Sequence, residues 1–471
     1  MKTKLRLLNN RVINGGIWTF IGRSVFAFSA LVTNVLLSRL LNTMDFGTYM
    51  LAFSISFFGN IVGILGINQS IIRFTTENIQ RKRYFQMKRA VHASLCIALA
   101  GAIGTVILYV LLQHFVLSRF MNSSQLDNIA LLTGIWILAN IIQQFIGETF
   151  RGLHEIKYAS LFGGVLSNIL YITCLITMMI LGSGQLDLST VILTVSVSLL
   201  LNCILGGWIL RRKLKSFPNH DQGTVLNTDK VKSSVIFRVS YPIMLSNVAI
   251  FFLTSTDLWI LGVFQSEEQV AIYGAAVRLI ATINFFGVLL NLVLSTHISE
   301  KYASGQLNEL EKTGKLVTFL VTLPAIFLVL VFMFLGEEIL GVFFGSYYSK
   351  AEPILVVLSI GQVINLLVGP SGLILTLTGN ERMMLKISLF TSCITIIGAS
   401  IAAKLAGPVE VAIVMVAGLV LQNAILLYAT KKKLGIMIFF NPLLMWKYSR
   451  SGIRLVRFWF KKKSRETILN E

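Results

Sequence analysis

Long apolar runs, broken at intervals by short polar stretches, leave this chain of 471 residues few ways to fold. About 20 uncharged apolar residues cross the roughly 30 Å hydrocarbon core of a bilayer as a helix. In that core every backbone polar group must be satisfied internally, which leaves only helices and closed barrels. A barrel would show segments of about ten residues alternating apolar with polar. These runs are longer and continuous, so helices are expected. Twelve spans can be drawn, near Val12–Leu41, Thr48–Ile72, Val91–Leu117, Asn128–Phe150, Tyr158–Leu181, Ser189–Leu210, Val239–Phe264, Val270–Ile298, Leu316–Leu335, Pro353–Leu377, Leu385–Ala403 and Val411–Ala429. Only 13% of residues are charged, about half the share in soluble domains. The first run is too long for a secretory signal and lacks a small-residue cleavage site, so it reads as a retained span.

The net charge of +20 would suit nucleic acid, but the charge is sorted by membrane side. With the N-terminus in the cytoplasm, 35 of the 41 Lys and Arg fall in the two tails and the even-numbered connections. The opposite side carries only Arg119, Lys350 and Lys404, and Arg23, Arg39 and Arg278 lie inside spans. Lys and Arg accumulate in cytoplasmic loops. The pattern therefore predicts a multi-pass protein of the cell (inner or plasma) membrane with both termini cytoplasmic, and no nucleic-acid partner. The outer loops are short and hold Asp45, Asp127, Asp187, Glu267, Glu268, Glu337, Glu338 and Glu352. The cysteines, Cys96, Cys174, Cys203 and Cys393, all fall in apolar runs without metal or disulfide spacing, so buried free thiols are expected.

The basic connection 211–238 divides the chain into residues 1–210 and 239–430, with a basic cytoplasmic tail over 431–471. Around the first outer turn, MDFGTYMLA (Met44 to Ala52) matches EQVAIYGAA (Glu268 to Ala276), with Tyr49 and Tyr273 in the same place. Six spans is an even number, so the two halves share one orientation, a parallel pseudo-twofold repeat about the membrane normal. In the tail, Lys447, Arg450, Arg454, Arg457 and Lys461 fall on one helical face beside Trp446, Ile453, Val456, Trp459 and Phe460. That suits an interfacial amphipathic helix on an anionic leaflet; a solvated tail is the alternative.

No P-loop, HExxH or GxSxG is present, and His92, His114, His154, His220 and His297 are scattered. The reading is therefore not an enzyme, with no metal and no cofactor. Uphill transport would draw on an ion gradient or the membrane potential, the ion being open, unless a partner supplies ATP. The informative residues are charges inside spans. A helix entering near Ile13 puts Arg23 about 15 Å deep, where a charge costs at least ~2.5 kcal/mol. Arg278 lies about 12 Å into the eighth span. Such residues face a protein interior or a wet cavity and mark pathways. Cations on the first and eighth spans, facing one cavity, would hold an anion, and the planar guanidinium fork suits phosphate. Arg39 and Asp257 sit near outer ends, as gating or ion-coupling residues; Arg39 could instead snorkel to headgroups, and Asp257 could pair with Arg278 or Arg39. Glu148 could couple an ion or form a local pair with Arg151. Asn34, Asn247 and Asn284 are among many span amides that could line the cavity or join helices. Pro324 and Pro370 are expected kinks or flex points.

SRLLNTMDFGTYMLAFS, LGINQSIIRFTTE, RGLHEIKYASL, VAIYGAAVRL, TGNERMMLKIS and ATKKKLGI spread over nearly the whole length. With them the chain resembles the polysaccharide-biosynthesis, O-antigen-type (Wzx-like) oligosaccharide flippases of the multidrug/oligosaccharidyl-lipid/polysaccharide exporter superfamily. The resemblance implies an all-α polytopic membrane protein with twelve transmembrane helices in two six-helix bundles around a central cavity. It implies alternating-access movement of undecaprenyl-pyrophosphate-linked oligosaccharide from the inner to the outer leaflet, for surface polysaccharide or lipopolysaccharide synthesis. Related lipid II flippases have cavity arginines on the first and eighth helices, which points to Arg23 and Arg278 as pyrophosphate ligands. Implied partners are the polyprenyl-pyrophosphate-linked glycan and membrane lipids, with a polysaccharide polymerase and glycosyltransferases nearby. AGPVEVAIV (Ala406 to Val414) departs from the family's small Gly-Ala-Ala turn by carrying Glu410.

Three rivals remain at this stage. A multidrug or cation antiporter of the same superfamily would favour buried acids over buried cations. A polymerase or ligase would have a large outer loop with catalytic Arg or His. A non-transporting scaffold of a polysaccharide assembly complex would not need Arg23.

Overall fold

The computed structural model describes residues 22–113, 124–181, 186–218 and 233–440. Those residues form helices and connections, with no strand among them. Eleven helices are long and apolar enough to cross a membrane. With the helix over 22–40 (α1) they make twelve spans, in two sets of six, and the chain is a multi-pass membrane protein. The second span is two helices, α2 (Thr43–Gly63) and α3 (Ile67–Gln80). The first set continues with α4 (Tyr84–Leu112), α5 (Ala130–Gly152), α6 (Ile156–Ile180) and α7 (Leu188–Ser216). The seventh span is α8 (Ser233–Thr254) with α9 (Asp257–Phe264), and the eighth is α10 (Glu267–Ala303). α11 (Leu307–Phe344), α12 (Glu352–Val368) with α13 (Ser371–Leu377), α14 (Glu381–Leu405) and α15 (Pro408–Leu434) follow. The Lys/Arg-rich connections define a basic side and the others an acidic side.

Helix ends follow local chemistry. The Asn42 side chain accepts from the Asp45 N–H to start α2, and Ser266 does the same for Gln269 at the start of α10. Glu267 and Glu268 in the first turn of α10 face the positive end of its dipole. α15 starts on Pro408, with Glu410 in its first turn, and stops at Gly435, which is left-handed with φ 74.

Three spans are broken. Leu65 (φ 51) and Gly66 (φ 74) separate α2 from α3. A Cβ on Gly66 would lie 2.1 Å from the Ser240 carbonyl oxygen, so glycine lets α3 approach α8 there. The seventh span breaks between Thr254 and Asp257. The tenth breaks at Gly369 (φ 72) and Pro370, where the sequence placed a flex point. Pro324 stands inside α11 with helical dihedrals. The one residue of α11 off helical geometry is Leu335 (φ −128, ψ 16), beside Gly336, which packs on Glu352 and Leu355.

The halves meet mainly along α2 and α10. Met50 packs onto Gly274, which leaves no room for a Cβ (2.7 Å to Met50 Cγ). These two positions are equivalents in the MDFGTYMLA and EQVAIYGAA match. Equivalent residues touch each other where a twofold axis passes between them, so this contact marks the pseudo-axis.

Several boundaries shift. α7 runs to Ser216 and α8 begins at Ser233, so both helices enter the 211–238 connection. The stretch Trp446 to Lys461 lies outside the described residues, as does 219–232. The tail expected from 431 starts later. Residues 436–440 fold back on the second bundle, with Ile436 and Ile438 buried and the Phe440 N–H donating to the Leu367 carbonyl at 2.7 Å. The end of α12 leaves that carbonyl free, and two buried isoleucines hold the segment in place. Of the cysteines only Cys203 is buried; Cys96, Cys174 and Cys393 are exposed, and all four are free thiols. A span buries one face and turns the other to lipid, so an apolar run does not by itself bury its thiol.

Candidate functional site: a cation-bearing cleft between the halves

On the acidic side the halves are shut. A Cβ on Gly47 of α2 would lie 2.0 Å from the Glu267 carbonyl oxygen of α10, so the two backbones touch. The Phe46 ring lies 6.5 Å from Phe344 and 5.4 Å from Tyr348. Arg39, at the end of α1, donates through Nη to the Val342 carbonyl and through Nε to the Phe343 carbonyl at 3.4 Å. Those are carbonyls of the last turn of α11, which lack helical partners. Arg39 is exposed, so it makes these contacts at the rim of the closed face.

Toward the basic side the halves meet again where Ser70 of α3 and Ser240 of α8 share a buried hydrogen bond of 2.6 Å, while α1 and α10 each carry exposed positions. Thr33, Asn34, Leu37 and Ser38 of α1 are buried, whereas Val25 and Phe28 are exposed. On α10, Tyr273, Ala275, Ala276, Leu279 and Ile280 are buried, whereas Ala281, Asn284, Val288 and Asn291 form one exposed stripe. A stripe with two asparagines does not suit hydrocarbon. The two asparagines make this stripe the candidate lining of a cleft between the halves.

Arg278 lies where the closed region gives way to this cleft. Its guanidinium carbon is 3.8 Å over the Phe53 ring, and its Nε is 3.4 Å from Met50 Sδ. Met50 and Phe53 belong to α2, so the cation of one half is seated on the other. Among the described residues no carboxylate pairs with it.

Arg23 lies deeper toward the basic side. It is half-exposed, and the charges acting on it are Arg151 and Glu148 at the basic end of α5. Glu148 is held by Arg151, whose Nη donates to both carboxylate oxygens at 2.8 and 2.7 Å. The local pair considered from the sequence is thus formed, and Arg23 stands beside it. Counted from the acidic ends of their helices, Arg23 is about 25 Å down α1 and Arg278 about 16 Å down α10. Their backbones therefore differ in depth by roughly 9 Å and do not share one level.

Other candidates are placed differently from expectation. Asp257 pairs with neither Arg278 nor Arg39. It is buried in the first turn of α9 and accepts from the Leu258 N–H at 3.0 Å, with the Tyr273 hydroxyl facing it without closing a hydrogen bond. The helix break, not a cation, accommodates its charge. Asn34 is buried and donates to the Ala30 carbonyl of its own helix at 2.6 Å, with its Oδ1 unpartnered among the described residues. Asn284 is exposed on the cleft stripe, and Asn247 of α8 is half-buried. Most other span amides join helices: Asn60 to Gln144 (2.8 Å), Asn140 to Ser56 (3.3 Å), Asn168 to Ser29 (3.2 Å), Asn423 to Asn365 (3.0 Å) and Gln422 to Ser388 (2.9 Å).

Sequence reasoning missed an aromatic cluster that spans the halves. Phe58 of α2 lies 4.9 Å from Phe251 and 5.0 Å from Trp259, and Phe251 lies 5.2 Å from Trp259. The adjacent Phe pairs at 57–58 and 251–252 are the sequence signal that could have pointed to it.

Two six-helix sets joined along α2 and α10, with Arg23 and Arg278 inside their spans, have the fold of a membrane transporter of the multidrug/oligosaccharidyl-lipid/polysaccharide exporter superfamily, which includes flippases. Comparison with known proteins makes this specific. The model of the polysaccharide biosynthesis protein family matches residues 12–294, more than half the chain, and the chain belongs to that family. A MatE model matches residues 242–401. Over 142 residues the chain is 26% identical to the probable low-salt glycan biosynthesis flippase Agl15 of Haloferax volcanii, a match spanning 29% of each protein. Among solved structures, a multidrug resistance MATE family transporter in an inward-facing conformation superposes with TM-score 0.68 at 17% identity, over 88% of this chain and 98% of that one. The lipid II flippase MurJ in an inward closed conformation superposes with TM-score 0.65 at 15% identity, over 89% and 87%. These likenesses carry the fold.

Proposed function

We propose that the protein flips an undecaprenyl-pyrophosphate-linked oligosaccharide from the cytoplasmic to the outer leaflet by alternating access, for surface polysaccharide synthesis. The carrying observation is Arg278, a guanidinium seated between the halves on Phe53 with no carboxylate partner among the described residues. The basic side is read as cytoplasmic because Lys and Arg gather there. Arg23 at the mouth receives the pyrophosphate first. The roughly 9 Å step in depth makes Arg278 a second station rather than a co-ligand. The amides of α10 offer donors and acceptors to sugar hydroxyls, while the polyprenyl chain stays in lipid. Closing the basic side and releasing the Arg39 and Gly47 contacts would expose the headgroup outward. Ion gradient or membrane potential supplies any driving force, and polymerase and glycosyltransferases act on either side of the step.

The test is an Arg278→Ala variant expressed at the wild-type level in a deletion strain. Loss of surface polysaccharide with accumulation of the lipid-linked glycan is expected; normal polysaccharide would sink the reading. One observation favours a second reading, a drug or cation antiporter: Asp257 is a buried acid without a cation partner among the described residues. That reading requires drug sensitivity on deletion, restored by wild type and not by Asp257→Asn. A scaffold role would leave both arginines dispensable.

A further inference from the structure

Away from the cleft, α7 carries an exposed apolar stripe that ends in a stacked cation. Val197, Leu201, Ile204, Leu205 and Trp208 are between 45% and 66% exposed and lie on one helical face. Four residues on, the Arg212 guanidinium carbon sits 3.6 Å over the Trp208 ring. Beside it a cavity of about 420 Å³ opens between Tyr158, Trp208, Ile209, Arg212, Lys213 and Ser216.

The two cations of this groove are in different states. Lys213 is paired with Glu155 at 2.6 Å and lies 5.5 Å from the centre of the Tyr158 ring. Arg212 has no carboxylate within ion-pair distance among the described residues. Stacking fixes its plane and leaves the N–H edge of the fork free for a bidentate acceptor. The apolar run of α7 ends at Leu210, so Trp208 and Tyr158 mark the interfacial depth where such rings gather and lipid phosphates lie. From Leu201 to Trp208 the stripe is about 10 Å long, within the roughly 15 Å of one leaflet.

We propose that this groove holds the phosphate headgroup of an anionic membrane phospholipid. Its phosphate oxygens accept from Arg212, and an acyl chain lies along the stripe to Leu201. Basic pockets between helices at this depth suit anionic lipid headgroups. The apolar track selects a lipid over free phosphate, which has no use for it. None of the lining residues belongs to the transport cleft.

The experiment titrates the purified full-length protein in detergent with phosphatidylglycerol or phosphatidylcholine and counts bound lipid by native mass spectrometry. Wild type is expected to retain phosphatidylglycerol about tenfold better than phosphatidylcholine, and Arg212→Gln to lose that preference, as removal of one charge-assisted contact implies. Arg211→Gln removes the same charge one residue away and should change retention less than about twofold. Trp208→Leu keeps the apolar track without the stacked plane and should fall between. Equal retention by Arg212→Gln and wild type overturns the proposal, as does equal loss in Arg211→Gln. Displacement by millimolar inorganic phosphate would make it a phosphate site. Tighter retention of undecaprenyl phosphate would make it a substrate entry site. Either result also overturns it. If Arg212→Gln fails to fold, Arg212→Lys carries the same test, because it keeps the charge and loses the plane.

Discussion

The Arg278 guanidinium lies over the ring of Phe53, a cation of the second bundle seated on an aromatic of the first. The ring face offsets part of the cost of placing that charge at depth, without the carboxylate that would occupy its donors. Arg278→Lys keeps the charge and loses the planar fork, so translocation in proteoliposomes should fall at least about tenfold. Phe53→Leu removes about 0.5–2 kcal/mol of cation–π attraction and should slow it by roughly 2- to 30-fold. A lysine variant as fast as wild type would mean that fork geometry is irrelevant.

Arg39 fastens α1 to the carbonyl end of α11 and so ties the halves together on the acidic side. Arg39 is exposed, so solvent screens the contact to about 0.5–1 kcal/mol. Arg39→Gln should therefore shift the population about 2- to 5-fold toward an acidic-side-open state. The readout is a cysteine at position 50, in a background without the four native thiols, probed from the acidic side with an impermeant thiol reagent. Labelling no faster than in the Arg39 parent would show that the contact does not hold the gate.

Gly47 tests the same closure by steric means. A Cβ there meets the Glu267 backbone at 2.0 Å, and no flexible side chain can move aside to relieve it. Gly47→Ala should open the acidic side more than Arg39→Gln does, by the same labelling measure. Gly104 of α4 is the control, with nothing within 4 Å of an added Cβ. Gly104→Ala should leave labelling unchanged and raise helix stability by about 0.5–1 kcal/mol.

These elements differ in how far the sequence disclosed them. The twelve spans were legible because lipid forces the backbone into helices and the Lys/Arg asymmetry repeats at every loop. Arg23 and Arg278 were legible because a charge in an apolar run is costly and therefore conspicuous. The breaks were less so. Leu65 adopts φ 51 although nothing in its residue type requires it, because Gly66 must meet Ser240 closely. Pro324 announced a kink in α11, whereas the residue off helical dihedrals is Leu335, whose residue type gives no such signal. Amide roles were hidden too: Asn60 and Asn284 look alike in sequence, but one is spent on Gln144 and the other faces the cleft. Which partner an amide finds depends on how helices rotate about their axes, and twofold or heptad patterns do not fix that among lipid-exposed helices.

Glu148, Arg151 and Arg23 form the last test, because their order of effects separates a working mouth from an inert surface pair. Arg151 occupies both oxygens of Glu148, which leaves Arg23 beside a neutralised carboxylate and able to receive an anion. Arg151→Gln frees Glu148 to pair with Arg23, so translocation should fall about tenfold or more, the scale of a charge-assisted contact. Glu148→Gln leaves two cations at the mouth. It should bind inorganic pyrophosphate more tightly, with a translocation loss within about threefold. The double variant removes the competing carboxylate together with its partner and should recover most of what Arg151→Gln loses. That is a coupling a double-mutant cycle reads directly. Additive losses, or three variants indistinguishable from wild type, would reduce the trio to an interfacial ion pair and remove Arg23 as the first station for the headgroup.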